Sequence, residues 1–237
     1  AVNNNSGSYQ NSWPGGGKIV HLRPNAAGDN AQGDSGPTTG QTAWQMVDEI
    51  TPNDATDYWE LITNNDILDV NIDNSSIAGI GSNDTISLVQ VGIRHRVETA
   101  ASSTMTPRIK SQSGGTVQSG TNFTHDDTTW KTNGDATPRL YKLESYTDPQ
   151  SGGSWTPSLL DSAQIGVIAP DADPDVWIST LWALVEYVPA AGAPTYTLAS
   201  GTFNILNNLL IGDGIDPLTV TATTNNPIIN IDGNLTI

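Results

Sequence analysis

Residues 227–237, Pro-Ile-Ile-Asn-Ile-Asp-Gly-Asn-Leu-Thr-Ile, alternate apolar and polar side chains almost without a break. Ile229, Ile231, Leu235 and Ile237 fall on one face and Asn230, Asp232, Asn234 and Thr236 on the other, the two-residue period of a strand with one buried side. Such a pattern restricts the chain to β structure there, and it demands something to cover the apolar face. Short runs of the same kind recur along the 237 residues, separated by Gly, Asn and Pro, and no long stretch repeats at helical spacing.

The runs fall at Lys18–Leu22, Ala43–Val47, Tyr58–Ile62, Ile67–Ile72, Ile86–Val97, Pro107–Ser111, Thr128–Lys131, Pro138–Ser145, Gln164–Ala169 and Val176–Val188. Residues 24–42 read as a loop. In the Ile86–Val97 run, Val89, Val91, Ile93, His95 and Val97 share one face while Arg94 and Arg96 point the other way. Strict alternation over Val176–Val188 groups Trp177, Leu181, Val185 and Tyr187 against Val176, Ile178, Trp182, Leu184 and Val188, so both faces are apolar, as in a central strand covered on both sides or one covered partly by a neighbouring molecule. One helix start is visible, Thr156 as N-cap with Pro157 at the first helical position. Together these predict an all-β chain, a jelly-roll-like β-sandwich over residues 18–188 followed by a small C-terminal β unit.

Residues 1–17 read as a flexible leader and 189–195, rich in Pro and Ala, as a stiff linker. The unit at 196–237 holds three strand candidates. Asn204-Ile205, Asn208-Leu209 and Ile211 recur as Asn230-Ile231, Asn234-Leu235 and Ile237, an offset of 26 residues. Three strands in so short a unit bury too little to stand alone, and without cysteine no disulfide can staple them. The unit is therefore expected to be strand-exchanged or β-solenoid-like. In the first case Ile229, Ile231, Leu235 and Ile237 form a donor strand, and Phe203, Ile205, Leu209 and Ile211 the acceptor strand of a neighbouring copy.

With 25 acidic against 9 basic residues the formal net charge is −16, which repels phosphate backbones and anionic lipid, so nucleic acid is not an expected partner. No apolar run is long enough for a transmembrane helix, so membrane insertion is not expected. The first residues, Ala-Val-Asn-Asn-Asn, suit a mature product after removal of a signal segment and equally a trimmed or partial chain.

The run from Tyr146 to Val167, followed by Val185-Glu-Tyr-Val188 and preceded by Trp44–Glu49 and Asp54–Trp59, resembles a jelly-roll-like structural module of phage virion and bacterial surface proteins. The C-terminal unit is similar in style to strands of tail fibres, adhesins and strand-donating extracellular fibrils. The resemblance covers about residues 40–188 and implies architecture rather than chemistry, with no catalytic residues to carry over.

Searching for chemistry directly yields little. His21, His95 and His125 sit in no nucleophile motif, and no two of Glu49, Glu60, Glu98, Glu144 and Glu186 stand close on one strand face as a glycosidase pair would. Asp171, Asp173 and Asp175 alternate in an acidic loop that could hold a structural Ca2+, although a solvated turn explains them as well. No other cofactor is expected. Arg94 and Arg96 read as partners for carboxylates on adjacent strands. The Asn-x-Ser/Thr pattern at Asn4, Asn74, Asn83, Asn122 and Asn234 marks N-glycan acceptor sequences. Trp13, Trp130 and Trp155 lie in polar surroundings where a sugar platform could form. The expectation is a non-enzymatic extracellular subunit that polymerises with copies of itself by strand donation, in a fibril or virion appendage. The rival is a lectin-like carbohydrate-binding module of a phage fibre or adhesin, with glycans as partners.

Overall fold

The computed structural model describes residues 17–37, 40–132 and 143–190 in full, and elsewhere the backbone of short strands only. The chain divides into two compact units, Ala1–Pro189 and Ala190–Ile237. In the first, β1 (Val2–Asn3) pairs with β2 (Tyr9–Gln10). Then come β3 (Lys18–Leu22), β4 (Pro24–Ala31), β5 (Asp34–Ser35), β6 (Trp59–Leu61), β7 (Asp66–Ile72) and β8 (Thr85–Val97). They are followed by β9 (Ser103–Lys110), β10 (Gln118–Ser119), β11 (Phe123–His125), β12 (Lys131–Thr132) and β13 (Leu143–Ser145). The unit closes with β14 (Gln164–Asp171) and β15 (Val176–Val188).

These strands form two antiparallel sheets. One runs β10-β9-β14-β7-β4 with β11 also on β9; the other runs β12-β8-β15-β6-β5, with β13 on β8 and β3 on β15. The fold is thus the expected jelly-roll-like β-sandwich. Its core lies between the sheets, where Val89, Val91 and Ile93 of β8 and Leu181, Ala183 and Val185 of β15 face Leu68, Val70, Ile165 and Val167 of the other sheet, all buried in one apolar cluster. At roughly 25 cal/mol per Å2 of apolar surface removed from water, this layer is the main stabilising term.

Three local expectations are corrected. Residues 43–46 form a 3-10 turn rather than a strand, because Thr42 and Gln45 make a capping box: the Thr42 amide donates to Gln45 Oε1 at 3.0 Å, and the chain closes on itself. Residues 24–35 contain two strands, β4 and β5, where a loop was expected. Their sequence carries almost no β-branched residue, and pairing with β7 and β6 overrides that propensity. In β15, a register shift between Ile178 and Thr180 reverses the alternation. Val176 and Ile178 therefore share the buried face with Leu181, Ala183, Val185 and Tyr187, while Trp177, Trp182, Leu184 and Glu186 are only partly buried. The short helix α1 (Pro157–Leu160) forms as expected, with the Thr156 hydroxyl accepting from the Leu159 amide at 3.2 Å.

The C-terminal unit is built differently. β16 (Thr195–Thr197), β17 (Thr202–Ile205) and β18 (Leu209–Leu210) are followed by β19 (Thr219–Thr221), β20 (Ile228–Ile231) and β21 (Leu235–Thr236). Each pairs in parallel with the strand three places on, so the backbone winds through two successive coils, the β-solenoid-like alternative. Phe203 is opposite Ile229, Asn204 opposite Asn230, Ile205 opposite Ile231 and Leu209 opposite Leu235. The 26-residue echo in the sequence is the offset of this ladder. The strand assigned as donor thus pairs with the strand assigned as acceptor within one chain, where the sequence reading placed the pairing between copies. Ile211 and Ile237 lie outside the described residues.

Candidate functional site

The bulge that reverses β15 also makes a site. Along the outward face of this sheet, strand pairing sets three rows side by side: His21, Leu184 and Gln90; Trp182 opposite Gly92; Thr180, Arg94 and Thr132. Arg23 follows directly on β3, and its guanidinium carbon lies 5.7 Å from the centre of the Trp182 ring. These residues, walled on one side by Ile50 and Pro52, line a groove of about 450 Å3.

The wall is held in place by Asp54. Its carboxylate accepts from Arg94 Nε at 2.9 Å and Arg94 Nη2 at 2.5 Å, and from Ser179 Oγ, on the bulge itself, at 2.8 Å. The loop carrying Ile50 is tied down further by the Leu181 amide, which donates to the Val47 carbonyl at 2.9 Å. Arg94 thus has the carboxylate partner its sequence suggested. Its third hydrogen bond, from Nη1 to Thr132 Oγ1 at 2.9 Å, closes the far end of the groove.

Gly92 determines how Trp182 sits. A Cβ on Gly92 would come within 2.1 Å of the indole, so the ring lies directly over the glycine backbone, and any side chain there would lift it. One face of the indole is spent on the sheet while the residue remains only partly buried. Trp177, five residues earlier on the same face, has a different environment. Tyr58 stacks on it with centroids 4.6 Å apart and planes 12° apart, and the Arg96 guanidinium lies 3.9 Å from its ring centre. A stacked ring and a cation at these distances occupy opposite faces, so Trp177 is closed on both. Trp130 completes this cluster, 5.6 Å from Tyr58 and 5.3 Å from Arg96.

Behind the groove wall, Glu49 Oε2 and Asp57 Oδ1 are buried without any other hydrogen-bond partner. Two carboxylate oxygens can satisfy one another only by sharing a proton. Burial, then that hydrogen bond, push the Glu49 carboxyl up to about 8. Burial lowers His21, helped by the nearby Arg23 charge. Burial also lowers Arg23, against the opposing pull of Glu49, Asp48 and Asp73.

A second, larger cleft of about 740 Å3 opens on the other sheet, with Asn25, Asn71, Asn74, Gln112, Ser113 and Gln164 in its lining. It contains no aromatic side chain. One of its two acids, Asp29, is already saturated: it accepts from the Gly114 amide, Lys110 Nζ, Ser113 Oγ and Gln164 Nε2, which hold its carboxyl well below the usual range. Lys110 in turn bridges to buried Asp69 at 3.0 Å. This network ties β4 to β9 and β14; the other acid of the lining, Asp161, accepts from the Ser75 amide through Oδ1 at 2.6 Å.

The remaining sequence candidates disperse. Trp155 is only 2% exposed, with Nε1 donating to Ser145 Oγ at 3.2 Å, so it is a core residue and not a platform. Trp130 belongs to the filled cluster, and Trp13 lies outside the described residues. His95 is buried against His125, Nδ1 to Nε2 at 2.8 Å, beneath the sheet. Burial and the nearby charges of Asp175, Asp34 and Glu98 push Glu60 up, but Glu98, Glu144 and Glu186 line neither cleft. Among the described residues no three His, Cys, Asp or Glu side chains stand together as a metal site, Asp171, Asp173 and Asp175 included. Of the glycan acceptors, Asn74, Asn83 and Asn122 are exposed; Asn4 and Asn234 lie outside the described residues. No helix among the described residues is long and apolar enough to cross a membrane.

No protein-family model matches the chain, and no curated protein does. Among solved structures, it is similar to a CBM36-1 domain of a multidomain xylanase from the hindgut metagenome of Trinervitermes trinervoides, at 10% identity and a TM-score of 0.35, covering 74% of this chain and all of that one. The CBM22-1 xylan-binding domain of Paenibacillus barcinonensis Xyn10C gives 12% identity and 0.35, over 74% and 97%. A family two carbohydrate esterase from Cellvibrio japonicus gives 10% and 0.32, over 81% of this chain and 40% of that one.

Proposed function

We propose that the sandwich is a carbohydrate-binding module that holds a glycan against Trp182 without cleaving it, and that it works outside the cell. The observation that carries this reading is the Trp182 indole laid over Gly92 inside a groove. A pyranose has an apolar face of C–H bonds and a rim of hydroxyls; a flat aromatic floor with polar side chains around it fits both. Gln90, His21 and Thr132 supply that polar rim.

The lining also speaks against hydrolysis. No Asp, Glu, Ser or Cys faces the groove, so neither a carboxylate pair nor an acyl-transfer nucleophile is at hand. Strand donation between copies is not part of this reading, because the strands it needs are paired in cis. The test is a glycan array on the full chain, followed by titration of the best ligand into Trp182→Ala. Binding that falls by about thirtyfold, roughly 2 kcal/mol, with an unchanged melting temperature is expected. An array without a single bound glycan, or a variant that binds as well as the parent, contradicts the reading.

A further inference from the structure

We propose that the groove selects a neutral sugar bearing an acyl group, an N-acetylated hexosamine, over plain or acidic sugars; this rests on the glycan reading above. The hydrogen-bonding inventory of the lining is lopsided. Two guanidinium groups donate only and no carboxylate of the lining stands against them, while Gln90, His21 and the hydroxyls of Thr132 and Thr180 can donate or accept. Arg94 has its donors committed to Asp54 and Thr132. Arg23 does not: its Nη1 is buried without a hydrogen-bond partner, beside the Trp182 ring. Thr180, 2% exposed in the same groove, carries an Oγ1 that is also buried without a partner. Two orphaned donors in one groove call for a ligand rich in acceptors, since each buried unmet group costs about 1–3 kcal/mol.

A carboxylate would accept from them, but the surroundings disfavour it. Asp48 and Asp73 act on Arg23 from behind, Asp54 stands at the groove wall, and the whole chain carries −16. An amide carbonyl accepts as well without bringing charge. Its methyl group also matches the other half of the lining, where Leu184, Pro52 and Ile50, the last 81% exposed, stand beside the Trp182 ring. The acetyl group thus answers both halves of the groove at once: carbonyl oxygen toward Arg23 and Thr180, methyl toward the apolar wall, sugar ring on the indole. The two orphaned atoms are enclosed by side chains, so the ligand reaches them through the kind of rotamer change that is common on binding.

The experiment is calorimetric titration of the full chain with three trisaccharides of one length: N-acetylated chitotriose, cellotriose, and trigalacturonic acid. Chitotriose is expected to bind at least tenfold more tightly than cellotriose, and trigalacturonic acid most weakly. Thr180→Val, which keeps shape and removes the hydroxyl, and Arg23→Met should each weaken chitotriose more than cellotriose and so narrow the gap between them. Equal affinity for cellotriose and chitotriose overturns the inference and leaves the glycan reading standing. Tightest binding of trigalacturonic acid overturns it in favour of a carboxylate ligand. Silence on all three, with other glycans bound on the array, also overturns it, whereas a silent array removes the glycan reading itself.

Discussion

Trp177 and Trp182 stand five residues apart on one strand and face the same way, yet they have different work. Trp177 is closed between Tyr58 and Arg96, which with Trp130 tie the start of β6 and the 123–132 segment to the sheet. Trp182 rests on a glycine, and the guanidinium over it, Arg23, stands 5.7 Å from its ring centre against 3.9 Å for Arg96 over Trp177; both indoles are partly buried. The difference teaches that an aromatic residue on a sheet surface becomes a binding platform through what its neighbours lack. Gly92 lacks a side chain, and no residue among the described ones stacks on the indole as Tyr58 does on Trp177.

The contrast can be broken by mutation. Trp177→Ala should be the most damaging to the fold, lowering stability by about 2–4 kcal/mol in chemical denaturation while the correctly folded fraction keeps its glycan affinity. A loss of affinity without loss of stability would reverse the two roles. Gly92→Val is next. It should lift the indole off the sheet, cost about 1–3 kcal/mol through overpacking, and reduce binding about tenfold. Unchanged binding there would mean that the ring's seat on the glycine is irrelevant.

A smaller effect is expected from Glu49, which holds the groove wall rather than the ligand. Its carboxyl is raised from an ordinary 4.5 to about 8 in the folded protein, so between those values the folded state binds more protons than the unfolded chain. Stability should therefore decline as pH rises from about 5 to 8. Glu49→Gln should flatten that decline, with the variant gaining on the parent toward the alkaline end. Parallel stability curves for the two proteins would show that Glu49 and Asp57 share no proton. The smallest effect is expected from deleting residues 228–237. The sandwich should keep its melting temperature within about 2 °C and its glycan affinity unchanged, since the two units are separately compact. A large drop in sandwich stability would refute that independence.

What the sequence reveals differs between regions for physical reasons. In the C-terminal unit, like residues stack on like in a parallel ladder, so pairing is written as a 26-residue echo and is readable directly. In the sandwich, partners come from distant strands, and alternation gives the strands without their order. It located β8 and its buried face, with His95 inside and Arg94 outside. It misjudged the face of Trp182, because one extra residue at Ser179 shifts the parity of everything beyond it, and no local signal announces a bulge without a glycine. The sequence pointed to Trp13, Trp130 and Trp155 as platforms because their surroundings are polar, and passed over Trp182 because it sits in a strand with apolar residues on both faces. The opposing Gly92, in the middle of a strand otherwise rich in Val, Ile and Arg, was the clue available: a lone strand glycine marks close approach of something large.

The central claim is that ligand lies on Trp182 and nowhere else on this sheet. Seven tryptophans give seven indole N–H signals in a two-dimensional 1H–15N spectrum, assignable by single Trp→Phe variants. Titration with N-acetylated chitotriose should shift the Trp182 signal progressively and leave those of Trp177, Trp130 and Trp155 in place. Movement of the Trp177 and Trp130 signals with Trp182 unmoved would contradict the account.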